Sequence, residues 1–429
     1  MIWLLRLSYA LVWGGVFLAM PFSRKIRSSF RERKGLLKRW KTAADTWDPL
    51  RKRLWFHVSS AGELEQVYPL LDRIKQKHPE TYLALSFFSP SAHQALQKEL
   101  QRRFSFNLPC SWDYADYSPW DFPKQMRAFL ETLKPQACFL IHQELWPELL
   151  FQNHQFKIPT FLLAAHFSQK NLRSPLQRFL LPLLKGIVTV DEQSLSCLKG
   201  IEWEGFAMAL GDPRWERVLE RKAQFSKNIP WKVFFDKRSV FVGASLWDED
   251  FKNLERTLSA LLTQNPQLCL LLVPHEPTPR RVRSWQKKLK ALGIPTRKWS
   301  HWIKSPDMHS HLIVDEVGFL AELYQMSTWV FVGGSFKKKI HNVLEPLAHG
   351  ALLFSGPFIS NSSEAQELFR LGLLRVASHE KELTSLLTSQ ILKNSEKEPT
   401  HSKGQAFLES RKGASEKYLQ TLSSWMGIQ

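Results

Sequence analysis

The part of this sequence best suited to bind an anion follows the apolar run Trp329–Val332. A glycine pair and a serine, Gly333–Ser335, come directly after it, and three lysines stand at Lys337–Lys339. Glycine lets the backbone turn tightly and approach a ligand closely, and the lysines, with the free N–H groups of a following helix, would attract an anion. The pattern predicts a phosphate-binding loop. On the glycines alone, an ordinary strand-to-helix crossover with a solvated lysine run is the alternative interpretation.

Glu345 is the candidate for binding hydroxyl groups beside that loop. The segment Asn342–His349 is long enough for about two helical turns, and the apolar run Ala351–Phe354 follows it. A carboxylate in the first turn of a helix is favoured by the helix dipole, and its oxygens can accept hydrogen bonds from a sugar. Strand, loop and helix together predict a ligand site at the carboxyl edge of a parallel sheet.

Glu63 is the second candidate carboxylate. It ends the segment Ser60-Ala61-Gly62-Glu63, which follows the strand-like run Leu54–Ser59. A carboxylate exposed at the carboxyl edge of a sheet can act as a general base. The same spacing is also that of a capping box, in which Glu63 only bonds back to the backbone N–H of Ser60. Spacing alone favours the cap.

Short apolar runs alternate with helical or loop segments along the chain. This alternation is typical of a parallel, doubly wound α/β sheet, and the runs fall into two series, which predicts two such domains. The first series is Leu54–Ser59, Tyr82–Phe88, Phe104–Leu108, Ala137–Ile141, Thr160–Ala164, Ile187–Val190 and Phe206–Leu210, and the second is Val240–Ala244, Leu268–Val273, Leu312–Val314, Trp329–Val332 and Ala351–Phe354. We expect a hydrophobic and basic segment at residues 1–45, a first domain at 46–215, a linker at 216–237 and a second domain at 238–429.

The amino terminus combines an apolar segment with a cluster of basic residues. Ile2–Phe22 holds 21 residues with one charge, Arg6, and is long enough to span a bilayer. Nine basic residues follow between Arg24 and Lys41, the reverse of the order in a secretory signal peptide. The positive-inside rule predicts a single anchor with the rest of the chain on the cytoplasmic face, and Arg6 is placed to snorkel. The basic run would bind anionic lipid headgroups, and a buried amphipathic helix is the alternative.

The net charge of +19 raises nucleic-acid binding as a competing explanation. RNA-reading motifs and zinc-finger spacing do not accompany the charge, so we favour the membrane. Cys110, Cys138, Cys197 and Cys269 are widely separated and match no metal-binding pattern. Cys138 and Cys269 lie in apolar runs, which predicts that they pack in the core.

Four motifs stand in one order along the chain. They are Ser60-Ala-Gly-Glu63, Glu144-Leu-Trp-Pro147, Gly333-Gly334-Ser335 with His341-Asn342-x-x-Glu345-Pro346, and Gly356-Pro357-x-x-x-Asn361-x-x-Glu364. Together they resemble the Kdo transferases of lipopolysaccharide synthesis. These enzymes move 3-deoxy-D-manno-octulosonic acid (Kdo) from its CMP-activated form onto a lipid A precursor.

The resemblance implies an inverting GT-B type glycosyltransferase, in which two Rossmann-like domains face a central cleft behind an amino-terminal membrane helix. It implies an inner-membrane protein with CMP-Kdo as donor and a lipid A precursor as acceptor. From the residues we also expect anionic lipids as partners, and no metal, other cofactor or nucleic acid. Glu63 would be the base, and Glu144 would orient the acceptor or support the base. The implied donor-binding residues are Ser245, His275, Gly334, Ser335, Lys338, His341, Asn342, Glu345, Gly356, Asn361 and Glu364.

The chain departs from the family pattern at three places. His275 stands where many members have arginine, and a neutral imidazole does not replace a guanidinium one for one. Ala165–Ser168 lacks another expected arginine, for which His166 would substitute only when protonated. Lys338 stands where a glycine is expected.

These departures leave two alternatives open. The first is a transferase that uses another activated sugar, because one fold hosts many donors. The second is a non-catalytic membrane adaptor that retains the fold. Arg280 or Arg281 could compensate for the arginine missing at position 275.

Overall fold

The structure is a computed structural model that describes residues 6, 23–143, 145–168, 172, 174–225, 231–236, 238–392 and 397–426. These residues form two compact units. The first runs to Arg217 and resumes at Arg411, and the second runs from Val218 to Ser410. Each is built on a seven-stranded sheet in which all strand pairs are parallel. The predicted doubly wound α/β class is therefore confirmed for both units.

The first sheet brings the loop that carries Glu63 to the middle of its carboxyl edge. Its strands are β1 (Arg53–Val58), β2 (Tyr82–Phe87), β3 (Tyr114–Tyr117), β4 (Ala137–Ile141), β5 (Thr160–Ala165), β6 (Gly186–Thr189) and β7 (Phe206–Ala209). They lie in the order β3-β2-β1-β4-β5-β6-β7, so the chain changes direction across the sheet between β1 and β4. Ligands of open α/β sheets bind at such a switch point. All residues of β1, β4 and β5 are buried, as expected for strands covered on both faces.

Helices precede, connect and follow these strands. They are α1 (Arg24–Glu32), α2 (Leu36–Ala44), α3 (Ala61–Lys77), α4 (Pro90–Ser105), α5 (Pro123–Leu133), α6 (Pro147–Gln155), α7 (Pro175–Leu180), α8 (Glu192–Ser196) and α9 (Arg214–Phe225). The boundary between the two units falls within α9.

The second sheet repeats the plan. Its strands are β8 (Val240–Leu246), β9 (Cys269–Pro274), β10 (Thr296–Lys298), β11 (His311–Ile313), β12 (Trp329–Val332), β13 (Leu352–Ser355) and β14 (Leu374–Val376), in the order β10-β11-β9-β8-β12-β13-β14. Cys138 in β4 and Cys269 in β9 are fully buried, which confirms their predicted place in the cores. The helices of this unit are α10 (Asp248–Gln264), α11 (Pro279–Ala291), α12 (Trp299–Trp302), α13 (Leu320–Leu323), α14 (Leu344–Ala348), α15 (Ser363–Arg370), α16 (Glu380–Leu392) and α17 (Lys397–Ser410).

The strand predicted at Phe104–Leu108 is wrong. Helix α4 extends to Ser105, and its last turns are tied down by buried ion pairs rather than by a sheet. Arg103 donates to Glu99 at 2.8 Å and to Asp72 at 2.8 Å. A helix face carrying such charges does not show the apolar spacing that sequence patterns detect.

The carboxyl-terminal segment forms a helix of the first unit. The helical stretch expected from Gly404 to Met426 is divided into α17 and α18 (Ala414–Met426). On α18, the Tyr418 hydroxyl donates to the Gly211 carbonyl at 3.0 Å and lies 3.2 Å from the Ala164 nitrogen, which donates to it. These residues therefore lie in the first unit, although the expected range of the second domain was 238–429.

Part of the basic amino-terminal segment is built into the first unit. Trp40 on α2 is fully buried and donates to the Tyr117 carbonyl at 3.0 Å. Arg33 is also buried and donates to the carbonyls of Phe88 and Ser118 at 2.7 and 3.0 Å. Burial lowers the pKa of this guanidinium to about 10. Arg33 is therefore an internal structural contact rather than a ligand for lipid headgroups.

The predicted anchor, Ile2–Phe22, lies outside the described residues except for Arg6. The Arg6 guanidinium pairs with Glu148 of α6, with Nε 2.5 Å from Oε1. Within the described part of the chain, the structure contains no helix of the length and apolar character that crossing a membrane requires.

Candidate functional site

The predicted donor-binding residues gather at one edge of the second sheet. Strands β9, β8, β12 and β13 are neighbours, in that order, and all are parallel. Their carboxyl ends therefore meet at the same edge. That edge carries Ser245 at the end of β8, His275 after β9, Gly334 and Ser335 after β12 and Gly356 after β13.

The glycines of the loop after β12 are required by close backbone packing. A Cβ atom on Gly333 would stand 2.4 Å from the Ser245 carbonyl oxygen. Gly334 has φ +80°, and a Cβ there would stand 2.0 Å from the Lys339 carbonyl oxygen. A Cβ on Gly356 would approach the Ser335 carbonyl oxygen to 2.8 Å. Any side chain at these positions would force the loop apart.

A buried carboxylate, Asp250 of α10, holds the loop in place. Its Oδ2 accepts hydrogen bonds from the backbone N–H groups of Gly334 at 2.7 Å and Trp247 at 2.9 Å, and its Oδ1 accepts from Phe336 at 2.9 Å. Burial raises the pKa of Asp250, against the lowering effect of these donors. The amides of Gly334 and Phe336, in the loop predicted to bind a phosphate, thus donate to an internal carboxylate.

Ser335 is also part of the internal framework of the loop. Its side chain is fully buried, donates to the Val332 carbonyl at 2.8 Å and accepts from the Gly356 N–H at 2.8 Å. The Asn361 amide has a similar place, because it accepts from the Ile340 N–H at 2.9 Å and donates to the Ile340 carbonyl at 3.1 Å. Both side chains therefore tie β12, β13 and their loops together.

Trp247, His275, His341 and Lys337 form a compact cluster on the outer side of the loop. The His275 and His341 rings stack with centroids 4.5 Å apart and planes 11° apart, and the Trp247 and His275 centroids are also 4.5 Å apart. The Lys337 ammonium lies 3.5 Å from the centre of the Trp247 ring, a cation–π contact. This cluster places one lysine of the basic run against an aromatic surface.

Both imidazoles of this cluster are held in the neutral form. The indole N–H of Trp247 donates to Nε2 of His341 at 3.2 Å, so this ring carries its proton on Nδ1. Burial, and then the neighbouring His275, lower the pKa of His341 to about 4. Burial also lowers the pKa of His275, and the positive charges of Arg281 and Lys337 act in the same direction. His275 is therefore a neutral hydrogen-bonding ring in place of a guanidinium.

Arg281 is occupied by acidic neighbours. It donates to Asp248 at 3.2 Å and to the Glu276 carbonyl at 2.6 Å. Arg280 is exposed and has no partner among the described residues. Of the two arginines expected to compensate at position 275, Arg280 is thus the one without a competing acidic partner.

The segment after the lysine run forms a shorter helix than predicted. Lys338, Lys339 and Asn342 are exposed, and the Asn342 side chain accepts from the Leu344 N–H at 2.9 Å. Helix α14 then spans only five residues, Leu344–Ala348. An Asx turn therefore replaces the first of the two expected helical turns.

Glu345 lies in the first turn of α14, as predicted, and is paired with an arginine. Nη1 of Arg221, on α9, is 3.0 Å from Oε1 of Glu345, and the exposed fractions of the two side chains are 24% and 18%. Farther along the edge, Glu364 in the first turn of α15 accepts from the Ser362 hydroxyl at 2.8 Å.

At the edge of the first sheet, Glu63 is held in one orientation. Its Oε2 accepts from the Ser59 N–H at 2.6 Å and its Oε1 from the Ser60 hydroxyl at 2.8 Å, and its exposed fraction is 7%. Ser60 is the N-cap of α3, but its side chain makes no cap hydrogen bond. The reciprocal capping box predicted by the spacing is therefore not formed, because Ser60 donates to Glu63 instead. Glu144, the other predicted carboxylate, lies outside the described residues.

Comparison with known proteins identifies the family. A family model described as 3-deoxy-D-manno-octulosonic-acid transferase (kdotransferase) matches residues 28–202. A 3-deoxy-D-manno-octulosonic acid transferase of Haemophilus influenzae is 23% identical over 418 residues, which are 92% of this chain and 92% of that protein. The enzyme of the same name from Aquifex aeolicus is 26% identical over 340 residues, 78% of this chain and 85% of that protein. The chain belongs to the Kdo transferase family. As a member, it is a glycosyltransferase.

Solved structures of low sequence identity share the fold of this Kdo transferase family member. A UDP-GlcNAc 2-epimerase from Neisseria meningitidis, bound to UDP-GlcNAc, has a TM-score of 0.60 and covers 87% of this chain and 100% of its own. Its sequence identity is 15%, so the similarity concerns the fold alone. It supports the predicted pair of Rossmann-like domains and says nothing about the donor.

This family member keeps an imidazole in place of one expected arginine at the first sheet. His166 follows β5, and its Nδ1 lies 3.3 Å from the Ser194 hydroxyl and 4.0 Å from Oδ2 of Asp191. The side chain is 40% exposed. The position thus offers a half-exposed ring at the carboxyl edge, with an acid and a hydroxyl beside it.

Sequence reasoning missed three residues of the site: Trp247, Asp250 and Arg221. Asp250 belongs to the acidic first turn of α10, which is typical of any helix start. Arg221 falls in the stretch interpreted as a basic linker. The one sequence signal for Trp247 and Asp250 was that both follow closely on Ser245. They lie where the central strand β8 ends and helix α10 begins.

Proposed function

We propose that this protein transfers Kdo, with inversion, from CMP-Kdo to a hydroxyl of a lipid A precursor in lipopolysaccharide synthesis. The observation that carries the proposal is that Glu345, within the His341-Asn342-x-x-Glu345-Pro346 motif, lies in the first turn of α14, in the segment that joins β12 and its glycine loop to β13. The relatives named as 3-deoxy-D-manno-octulosonic acid transferases, which match over most of the chain, support it.

Glu63 is the general base in this proposal. It takes the proton of an acceptor hydroxyl, whose oxygen forms a bond to the anomeric carbon of Kdo while the bond from that carbon to the CMP phosphate oxygen breaks. A carboxylate offers about four lone-pair positions. The Ser59 N–H and the Ser60 hydroxyl each donate to one of its oxygens and hold the Glu63 carboxylate in one orientation.

The donor residues bind and orient CMP-Kdo. Glu345 accepts hydrogen bonds from the nucleotide ribose, and Lys337, with the exposed Lys338 and Lys339, stabilises the charge that develops on the departing phosphate. The glycine loop contributes through its shape, because the N–H groups of Gly334 and Phe336 already donate to Asp250. Fixed positive charges of this kind stabilise the CMP leaving group, so the proposed reaction uses no metal.

The remaining predicted donor residues have two roles in this proposal. The neutral rings of His275 and His341 offer hydrogen bonds and an aromatic surface, and Asn342 and Glu364 offer polar contacts at the rim. Ser245, Gly334, Ser335, Gly356 and Asn361 keep the loops in position.

Turnover by the purified full-length protein tests the proposal. The protein is incubated with CMP-Kdo and a lipid A precursor, and the product is identified by its increase in mass of one or more Kdo residues. UDP-GlcNAc replaces CMP-Kdo in a parallel reaction. Product with UDP-GlcNAc alone would indicate a transferase of another sugar, and a folded protein without either product would indicate an adaptor.

A Glu345→Ala variant is expected to bind CMP about 1–3 kcal/mol more weakly, because the ribose hydroxyls lose their acceptor in a partly buried site. Calorimetric titration with CMP measures the change. Glu316→Ala is the matched control, because Glu316 is an exposed acid of the same unit without a partner among the described residues. An unchanged dissociation constant for the Glu345 variant would mean that Glu345 does not bind the ribose and serves only as an acid at the start of helix α14.

Deletion of residues 1–22 is expected to move the protein from the membrane to the salt-extractable fraction. The deletion also removes Arg6, the ion-pair partner of the buried Glu148, and breaking a buried ion pair typically destabilises a protein by about 3–5 kcal/mol. The truncation is therefore combined with Glu148→Gln, and the full-length Glu148→Gln protein is the control. Sedimentation of the truncated protein with membranes in high salt would refute Ile2–Phe22 as the main anchor.

A further inference from the structure

Glu345 shares its surroundings with a cation and with a second carboxylate. Arg221 donates to its Oε1 at 3.0 Å. On α13, Glu322 is half-buried, and its Oε2 is buried without a hydrogen-bond partner among the described residues. Burial raises the pKa of Glu322, and the charge of Glu345 raises it further. The fully buried Tyr324, which follows α13, responds to the same charge: burial and then Glu345 raise its pKa.

Two carboxylates that interact electrostatically at a partly buried site oppose each other's ionisation. A positive charge in contact with one of them relieves this effect on that acid. The described structure supplies such a charge to Glu345 through Arg221. Without it, Glu345 would lose this contact, while the interaction between Glu345 and Glu322 would remain.

The chemistry of a sugar diol requires an ionised, oriented carboxylate. The hydroxyl groups of a ribose are donors, and an ionised carboxylate is purely an acceptor, whereas a protonated one gives up part of its acceptor capacity. We propose that Arg221 is a positioning residue of the donor site: through its 3.0 Å contact with Oε1 it keeps Glu345 aimed at the nucleotide ribose. This inference rests on the proposed function, since it assigns a partner to the ribose-binding residue.

Arginine suits this role, and α9 carries it. A guanidinium stays charged when partly buried, and its planar fork loses little freedom on pairing with a carboxylate. The preceding arginine of the helix, Arg217, is committed to acids of the first unit and lies 3.2 Å from Glu65. Arg221, one turn later, is the arginine of α9 that reaches Glu345.

Calorimetric titration of the full-length protein with CMP tests the proposal through a mutant cycle. Arg221→Met is expected to weaken CMP binding roughly tenfold to a hundredfold, the usual effect of losing a charge-assisted contact. Arg221→Lys should retain part of the affinity, because a cation remains. Glu322→Gln alone should change the dissociation constant little. The double variant Arg221→Met with Glu322→Gln should recover at least half of the CMP affinity lost in Arg221→Met, measured on a logarithmic scale, because the opposing charge of Glu322 is gone.

The cycle separates positioning from mere structure. Arg283→Met, an exposed arginine on α11, is the control for loss of one positive charge, and thermal melting is recorded for every variant. A wild-type affinity in Arg221→Met, or a loss that Glu322→Gln and Arg221→Lys both leave unchanged, would overturn the positioning role. If Arg221→Met does not fold, Arg221→Lys with and without Glu322→Gln decides in the same way. If the unmodified protein does not bind CMP, the proposed function itself is overturned, together with this inference.

Discussion

A Glu63→Gln variant is expected to fold, to bind CMP as the unmodified protein does and to transfer Kdo at least a hundredfold more slowly. The loss of a general base typically lowers a rate by about 10²–10⁴-fold, and an amide cannot take up a proton at neutral pH. Transfer is measured with CMP-Kdo and a lipid A precursor, and folding by thermal melting. If Glu63 acted only as a helix-start contact, the variant would transfer Kdo normally.

The local geometry explains why glutamine should leave the fold intact. Its oxygen can accept the Ser59 N–H, which now donates to Glu63 at 2.6 Å. Its amide group can then donate to the Ser60 hydroxyl, which reverses the direction of a bond that Ser60 now donates. A hydroxyl can both donate and accept, so both serine contacts can be retained.

The control for this variant is Glu131→Gln, which changes an exposed acid of α5 that pairs with Arg127. Exposed pairs of this kind contribute little, so both transfer and melting should stay near normal. Near-normal transfer by a folded Glu63→Gln protein would contradict the assignment of the base, and Glu144 would become the next candidate.

The fold was largely predictable because most strands are continuous apolar runs. The run Ala137–Ile141 is identical with β4, and the run Trp329–Val332 with β12. The strands that escaped prediction are short and lie at sheet edges: β3 (Tyr114–Tyr117), β10 (Thr296–Lys298) and β14 (Leu374–Val376). Edge strands are partly exposed and carry polar side chains, so hydrophobic patterning does not reveal them.

The site was predictable only in its local parts. The glycine loop and Glu345 lie where the sequence placed them, because turn chemistry and helix starts are local. The partners of both are distant in sequence: Asp250 lies 84 positions before Gly334, and Arg221 lies 124 positions before Glu345. A sequence pattern without these partners could not show that the loop amides serve an internal carboxylate.

Asp250→Ala is expected to destabilise the second unit by roughly 3 kcal/mol and to weaken CMP binding. The carboxylate is fully buried and accepts three backbone N–H groups, those of Trp247, Gly334 and Phe336. A buried donor that loses its acceptor typically costs about 1–3 kcal/mol. Trp247 stands at the start of a helix and is half-exposed, so water can partly replace the hydrogen bond that its N–H loses. The two loop amides cannot be satisfied without moving Gly334, and the loop would lose its shape.

Asp250→Asn separates the hydrogen bonds from the charge. The Asn oxygen can take the position of Oδ2 and keep two of the three bonds, while its amide group faces the Phe336 N–H. Removing the charge also removes the desolvation cost that raises the pKa of Asp250. We therefore expect stability to fall in the order Asp, Asn, Ala, measured by urea titration with tryptophan fluorescence. Glu249→Ala, an exposed acid in the same helical turn, should stay within about 0.5 kcal/mol of the unmodified protein. Equal losses for Glu249→Ala and Asp250→Ala would mean that Asp250 contributes only to the helix dipole, and the glycine loop would need another explanation for its shape.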